Sequence, residues 1–219
     1  MGVLYLFDID GTLLHAHGSG RDAFDAVFAE QHGIANASVG ISYGGKTDPG
    51  IVDEIFAKHL QRKPTAAELA AFLDAYLPRL RVLLAAQGVK VLAGVVEALE
   101  HLKPRALLGV ATGNVRAGAE LKLAAAKLDP WFELGGYGCD SALRAELVAR
   151  AIERARERRE VREVVVVGDT VHDIAAARAC RATVCAVATG SDPADRLRDA
   201  DAVFASMTEL PAWHEQRFA

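Results

Sequence analysis

Five short apolar runs, separated by stretches of helical periodicity, constrain the fold of this chain more than any other feature. They are VLYLF (3–7), ALLGVA (106–111), WFELGGY (131–137), EVVVVG (163–168) and TVCAVA (183–188). Most are apolar at every position, which is typical of strands buried on both faces of a parallel sheet. The helical patterns cover 115–128, 141–159, 172–180 and 193–199. The alternation predicts an α/β fold with right-handed crossovers, and DAVFA (201–205) is a candidate edge strand.

The first two runs are separated by about a hundred residues, far more than one crossover connection needs. Apolar residues recur at helical spacing in three segments of this interval, 19–33, 48–60 and 65–87. The segment 92–103 is expected to be the helix that returns the chain to the sheet. We therefore predict a core domain built from residues 1–14 and 89–219, with a helical domain, residues 15–88, inserted in it.

Composition and charge narrow the class of protein. The 219 residues are 51% hydrophobic and 25% charged, as in soluble globular proteins, and no segment has the ~18 uninterrupted apolar residues of a membrane span. The net charge of -4 offers no broad attraction to nucleic acid or anionic lipid. There is no signal-peptide pattern, and the three cysteines lack a CxxC spacing, which indicates reduced thiols. We expect a cytoplasmic protein, monomer or homodimer, with no nucleic-acid or membrane partner.

Polar side chains follow three of the predicted strands. Asp8 and Asp10 follow the first, residues 112–114 (Thr-Gly-Asn) the second, and Asp169 and Asp173 the fourth. Ligands of open parallel sheets bind beyond the carboxyl ends of the strands, so we expect four carboxylates to converge there. Asp10 and Asp173 could alternatively cap a turn or a helix, but this interpretation would not explain Asp8 and Asp169. Because crowded carboxylates disfavour joint ionisation and Mg²⁺ prefers oxygen ligands, the pattern predicts a magnesium site.

Three motifs in order carry a resemblance to a known family. DIDGT after the first strand, ATGN after the second and VVGDTVHD late in the chain resemble the haloacid-dehalogenase-like hydrolase superfamily, over essentially the whole chain. The helical insert is similar to the α-helical cap of the family's phosphoglycolate-phosphatase-like branch. The resemblance implies a Rossmann-like three-layer core, a parallel sheet of strand order 5-4-1-2-3, and a cap that closes over the site.

The resemblance also implies roles for the acids. Asp8 would be the nucleophile that becomes an aspartyl phosphate. Asp10 would be the general acid, protonated at the start, a form that crowding by neighbouring charges can favour, and then the base that activates water. The side chains of Asp8 and Asp169, with the Asp10 backbone carbonyl, would hold Mg²⁺. Asp173 would lie in an outer position and orient a metal-bound water or a cation.

The phosphate would be bound by the second motif and by a cation. Thr112 and a following backbone N–H, within Gly113 and Asn114, would bind the phosphoryl oxygens. The family usually carries a lysine at the start of the helix after the third strand, but no lysine follows Lys127 here. Arg144 is the candidate substitute, because a guanidinium keeps the charge and binds phosphate in a bidentate manner. A solvated helix arginine is the alternative.

Lys46 lies in YGGKTDPG (43–50), a glycine-rich turn that leads into a helix of the insert. The family's caps often use this region to contact the leaving group of the substrate, so Lys46 is a candidate substrate-binding residue. A solvated loop lysine is an equally open interpretation.

Together these residues predict a Mg²⁺-dependent phosphatase that acts on a small-molecule phosphate ester, of the phosphoglycolate or sugar-phosphate type. Asp10 argues against a dehalogenase, because a halide leaves without a proton. A β-phosphoglucomutase-like phosphotransferase, which uses the same acids, is one alternative. A non-catalytic phosphate-binding regulator is another, and the absent lysine is its only support.

Overall fold

The fold is given by a computed structural model that describes residues 2–218. Eight strands are present in this range: β1 (Val3–Phe7), β2 (Leu14–His15), β3 (Lys90–Val91), β4 (Leu107–Ala111), β5 (Leu134–Gly136), β6 (Glu163–Gly168), β7 (Thr183–Val187) and β8 (Ala202–Phe204). The α-helices are α1 (Ser19–His32), α2 (Asp48–Leu60), α3 (Ala66–Gln87), α4 (Val95–Leu102), α5 (Arg116–Ala125), α6 (Arg144–Arg156), α7 (Val171–Ala179) and α8 (Leu210–Phe218).

Six strands form one parallel sheet in the order β5-β4-β1-β6-β7-β8. The central strand β1 places Tyr5 opposite Leu108 of β4 and Val165 of β6. Numbered along the chain, the first five strands of this sheet lie in the order 5-4-1-2-3, so the predicted topology is confirmed. The candidate edge strand is confirmed as β8.

Helices cover both faces of the sheet. Side chains of a strand alternate between faces, so Leu4 and Leu6 pack in a cluster with α6 and α7. Tyr5 and Phe7 point the other way, into a cluster that includes side chains of α4, α5 and α8. All of β1 is buried. The predicted three-layer α/β/α core is confirmed. Because β1 is packed on both faces, its carboxyl end is held in a fixed position.

The interval between β1 and β4 contains α1, α2 and α3, which pack through aromatic side chains. The Phe24 ring lies 4.9 Å from Phe72 and 4.8 Å from Tyr76, between ring centroids. A capping box of Thr65 and Glu68 begins α3. The assignment of residues 15–88 to a separate domain remains a prediction.

An antiparallel ribbon of β2 and β3 connects this helical interval to the sheet. Leu14 lies opposite Val91, and His15 opposite Lys90. The chain therefore leaves the core and returns to it at adjacent positions. Strands of two residues are too short to produce a periodic pattern, so the sequence did not predict them.

Two sequence predictions differ from the structure in extent, and one helix was missed. The third strand, predicted over 131–137, is limited to β5, because a 3₁₀ turn containing Pro130 precedes it at Asp129–Trp131. The predicted helix 193–199 is a single 3₁₀ turn, Ala194–Arg196. The helix α8 was not predicted. No helix among residues 2–218 has both the length and the apolarity of a membrane span.

Candidate active site

The two N-terminal acids lie on the loop that follows β1. The backbone N–H of Asp8 donates to the carbonyl of Val167 at 2.9 Å, which extends the sheet ladder to the acid itself. Gly11 has a φ of +81°, and a Cβ at this position would lie 2.7 Å from Asp169 Oδ2. A glycine is needed here because the turn is left-handed and passes close to another carboxylate. The loop thus brings the ends of β1 and β6 together.

Three buried carboxylates form a cluster at this edge. Asp8, Asp169 and Asp173 each offer one oxygen, and these oxygens all lie within 4.8 Å of one another. Burial, with the charges of Asp173 and Asp10, raises the pKa of Asp8 to about 6 despite the opposing charge of Arg144. Burial and the charges of Asp8 and Asp173 raise the pKa of Asp169 to about 7. An all-oxygen cluster short of positive charge fits a hard divalent cation such as Mg²⁺.

The three carboxylates differ in how many hydrogen bonds and ion pairs they make with the protein. Asp173 Oδ2 accepts from the backbone N–H and the hydroxyl of Thr170, at 3.0 and 2.7 Å, and Oδ1 accepts from Arg144. Asp169 accepts from the Thr12 hydroxyl at 3.0 Å and from the backbone N–H of Ser191 at 2.8 Å. In contrast, Asp8 has one polar side-chain contact among residues 2–218, to Arg144 at 3.0 Å. Asp173 accepts more hydrogen bonds from the protein than Asp8 or Asp169, which suits the outer position expected for it.

Arg144 begins α6 and lies within the cluster. Its Nη2 is 3.0 Å from Asp8 Oδ1 and 2.5 Å from Asp173 Oδ1, and its Nε donates to Asp173 Oδ1 at 2.8 Å. The side chain is only 9% exposed, so the alternative of a solvated helix arginine is wrong. Nη2 is buried and makes no well-aligned hydrogen bond within residues 2–218. The guanidinium is therefore held between Asp8 and Asp173 by close ion pairs.

The sequence interpretation missed Lys122, a residue of α5. Its ammonium donates to Asp10 Oδ2 at 2.6 Å and to Asn114 Oδ1 at 2.7 Å. The Asn114 amide donates in turn to Asp10 Oδ2 at 2.8 Å and to Thr112 Oγ1 at 2.7 Å. A signal was present: position 122 falls on the buried face of α5, beside Leu123 and one turn from Ala119, where a lysine is out of place.

These partners change the expectation for Asp10. Burial alone would raise its pKa, but the Lys122 ammonium and the Asn114 amide together hold the pKa below its ordinary value. The expectation that crowding keeps Asp10 protonated is therefore wrong for this arrangement. The neighbours that matter most are a cation and an amide donor, which favour the carboxylate.

The loop after β4 packs directly against the start of α2. The backbone N–H of Asp48 donates to the Gly113 carbonyl at 2.8 Å, and the Asp48 carboxylate accepts from the Val115 N–H at 2.9 Å. A Cβ on Gly113 would lie 1.9 Å from the Lys46 carbonyl oxygen. The close approach requires glycine, and it joins the helical interval to the loop that carries Thr112.

A cavity of about 710 Å³ opens between these elements. All the predicted site residues except Asp173 line it, together with Lys122 and Asp48. Lys46 is among them, but its ammonium is 2.6 Å from the Glu54 carboxylate, so it is a paired cation at the cavity wall. Basic side chains of the ribbon, of α1 and of the segment between them also line the cavity: His15, His17, Arg21 and Lys90.

Comparisons with known proteins agree with this arrangement. The family model of the haloacid dehalogenase-like hydrolases matches residues 4–181. A search of curated proteins gave no significant match. Among solved structures, the chain is similar to CbbY from Rhodobacter sphaeroides in complex with phosphate, at a TM-score of 0.74 and 20% identity, covering 96% of each chain.

Two further structures share the fold. A hydrolase from Pseudomonas syringae has a TM-score of 0.72 and 24% identity, covering 98% of each chain. A protein from Thermotoga maritima that has been suggested to be a beta-phosphoglucomutase has a TM-score of 0.66 and 21% identity, covering 99% of each chain. At these identities the similarity establishes the fold.

Proposed function

Since this chain belongs to the haloacid dehalogenase-like hydrolases, we propose that it is a Mg²⁺-dependent phosphatase of a small phosphorylated metabolite. The observation that carries the proposal is the buried cluster of Asp8, Asp169 and Asp173, with Arg144 among the acids, at the wall of a cavity of about 710 Å³. The cavity has room for a phosphate ester of sugar-phosphate size, and its basic wall suits an anionic substrate.

Asp8 is the nucleophile in this proposal. Its carboxylate oxygen attacks phosphorus as the bond to the leaving oxygen breaks, which forms an aspartyl phosphate and an alcohol. The Arg144 guanidinium, with the Thr112 hydroxyl, binds the phosphoryl oxygens and balances their charge. Arg144 thereby takes the place of the family's usual lysine.

Asp10 moves the protons. It gives a proton to the leaving oxygen, and it then removes one from the water that hydrolyses the aspartyl phosphate. In the absence of substrate its pKa lies below the ordinary value. A bound phosphate dianion raises this pKa, because a nearby like charge disfavours the carboxylate. The resting carboxylate is already in the form that the second step needs.

Mg²⁺ would be held by the carboxylates of Asp8 and Asp169 and by the backbone carbonyl of Asp10. When bound, it supplies positive charge to the phosphoryl oxygens and to the crowded acids. Asp173 keeps Arg144 in place, because two nitrogens of the guanidinium contact its Oδ1. This division of roles follows the number of protein donors that each carboxylate already accepts.

The alternatives are weaker. The regulator hypothesis depended on the missing lysine, and a buried arginine beside Asp8 supplies the charge. A phosphotransferase uses the same acids, and the structural similarity to the Thermotoga maritima protein keeps it as the second candidate. A transferase would need a bisphosphate primer for full turnover, whereas a phosphatase would not.

Phosphate release from a panel of phosphorylated metabolites and from p-nitrophenyl phosphate tests the proposal. We expect release that requires Mg²⁺ and needs no primer, and that is abolished by EDTA and by Asp8→Asn. Asp74→Asn, an exposed acid of α3, is the matched control and should retain full activity. Undiminished release by Asp8→Asn would dismiss the aspartyl phosphate.

We also propose a cytoplasmic location, in keeping with three cysteines that are all free thiols. The physiological partner is then a small-molecule phosphate ester, with no nucleic-acid or membrane ligand. The oligomeric state, monomer or homodimer, remains a prediction, which sedimentation equilibrium would test.

A further inference from the structure

The two carboxylate oxygens of Asp10 have different surroundings. Oδ2 accepts from the Lys122 ammonium at 2.6 Å and from the Asn114 amide at 2.8 Å. Within residues 2–218, no side chain donates to Oδ1. The Asp10 side chain is 44% exposed and lines the cavity. One oxygen is therefore held by the protein, while the other is free to meet a ligand.

Lys122 is buried at a position that packing alone would not assign to a lysine. Its side chain is 7% exposed, and α5 carries the buried residues Ala119 and Leu123 beside it. Burying an ammonium is costly unless it is paired and hydrogen-bonded. Its hydrogen bonds go to Asp10 and Asn114, so both partners that stabilise the buried charge belong to the active site.

The orientation of Asn114 also depends on Lys122. An ammonium only donates, so the amide oxygen of Asn114 must face it. The amide nitrogen then points at Asp10 Oδ2 and Thr112 Oγ1, at 2.8 and 2.7 Å. The Asp10 carboxylate only accepts and the Lys122 ammonium only donates, so the two groups together fix both ends of the amide.

We propose that Lys122 is a positioning residue for Asp10, acting with Asn114 to anchor Oδ2 so that Oδ1 exchanges the protons of the reaction. The inference depends on the proposed function. In the first step the proton on Oδ1 passes to the leaving oxygen as the P–O bond breaks. In the second step Oδ1 takes a proton from water as the water oxygen bonds to phosphorus and the Asp8 carboxylate leaves. Lys122 itself does not touch the reacting atoms.

A series of aryl phosphates with different leaving groups tests the inference. Phenolate is a poor leaving group that needs a proton, whereas 2,4-dinitrophenolate leaves without one. We expect Lys122→Met to lower kcat/KM, which reports the first step alone, by about 100-fold on phenyl phosphate and by less than about 5-fold on 2,4-dinitrophenyl phosphate. Lys122→Arg, which retains the charge and donors, should recover part of the loss. Lys127→Met, an exposed lysine just after α5, is the matched control.

Equal losses on both esters would overturn the positioning role, because a general structural defect does not depend on the leaving group. If Lys122→Met fails to fold, as judged by circular dichroism, Asn114→Ala removes one Oδ2 donor with the lysine retained. It should show the same selective loss, and an equal loss on both esters would again overturn the inference.

A crystal structure of Lys122→Met, or of Asn114→Ala in its place, gives a readout independent of activity. The Asp10 carboxylate should rotate or adopt several orientations while the β1 backbone stays unchanged. An unmoved carboxylate would refute the inference even if the wild type releases no phosphate. Inactivity of the wild type on every ester would count against the proposed function instead.

Discussion

The carboxylate of Asp48 accepts a hydrogen bond from the backbone N–H of Val115 at 2.9 Å, which fastens the first residue of α2 to the start of α5. Asp48 is buried, and burial raises its pKa to about 6, although the Lys122 charge and the Val115 N–H oppose the shift. The nearby Asp10 charge adds to the rise. This contact therefore joins the helical interval to the loop after β4 through a carboxyl group whose pKa is raised.

Replacing Asp48 should change how stability depends on pH. In the unfolded chain Asp48 loses its proton near pH 3.8, and in the folded chain it does so near pH 6. Between these pH values the folded chain therefore binds more protons than the unfolded chain. The stability that comes from the raised pKa is lost as the pH rises from 3.8 to 6. Asp48→Asn stays neutral and its amide oxygen still accepts from Val115. We expect the difference in unfolding free energy between Asp48→Asn and wild type to shift in favour of the variant by up to about 3 kcal/mol when the pH is raised from 4 to 7.5.

Urea denaturation at the two pH values measures this gain. Asp74→Asn, on the exposed surface of α3, should follow wild type at both. A difference between Asp48→Asn and wild type that is the same at pH 4 and pH 7.5 would contradict the raised pKa.

Removing the guanidinium of Arg144 should disable the site. Asp8 and Asp173 then lose their shared cation, and the phosphoryl oxygens lose its donors. We expect Arg144→Ala to reduce kcat/KM by about 100-fold or more, with Arg144→Lys intermediate because it keeps the charge and loses the planar fork. Arg150→Ala, on the exposed face of the same helix, is the control. Activity of Arg144→Ala within threefold of wild type would argue against its role.

A methyl group at Gly113 should separate the two elements that Asp48 joins. A Cβ there would meet the Lys46 carbonyl oxygen at 1.9 Å, so the backbone must shift. We expect Gly113→Ala to cost about 2 kcal/mol of unfolding free energy and to raise KM. Gly118→Ala, inside α5, has ordinary contacts of 3.5 Å or more and should be neutral or stabilising by about 0.5 kcal/mol. Equal behaviour of the two variants in thermal unfolding would refute the steric argument.

On the opposite side of the sheet from α6 and α7, the Tyr5 hydroxyl hydrogen-bonds His214 Nδ1 at 2.8 Å. Burial lowers the pKa of His214, with His101 and Arg105 adding to the effect and Glu215 opposing it. The unfolded chain therefore binds a proton before the folded chain does, and stability is lost as pH falls below about 6.5. The double variant Tyr5→Phe/His214→Phe should lose less stability than wild type between pH 8 and pH 5.5.

Denaturant titrations at those two pH values check this expectation. The double variant removes both partners, so neither is left buried without a hydrogen bond. A loss of stability as large as that of wild type would show that His214 is not the titrating group.

The sheet and the acids were predictable because their signals are local. Short continuous apolar runs are typical of buried strands, and the acids that follow parallel strands meet at one edge of the sheet. Arg144 was identified through the family resemblance, from its place at the head of the helix where the family usually carries a lysine. The sequence could not reveal that its guanidinium is shared by Asp8 and Asp173, because residues 8, 144 and 173 meet only in the fold.

Lys122 shows why the rest was not predictable. A lysine among buried helix positions is a signal only when the buried face is known, and its partners lie 8 and 112 residues away. The lowered pKa of Asp10 depends on that contact, so reasoning from like charges alone gave the wrong direction. The two-residue strands were missed, and β5 was predicted too long, for a different reason: none of these strands is long enough to show a period.

The ribbon in which Leu14 faces Val91 and His15 faces Lys90 has a consequence for how the chain tolerates change. The outgoing and returning backbones are paired neighbours in this ribbon. The segment between them, residues 16–89, can therefore change in length without changing the spacing between β1 and β4. Insertions or deletions in the turn that links α2 to α3 should leave the edge of the sheet that carries the acids where it is. The helical interval can thus change the shape of the cavity while the acids at the ends of β1 and β6 keep their positions.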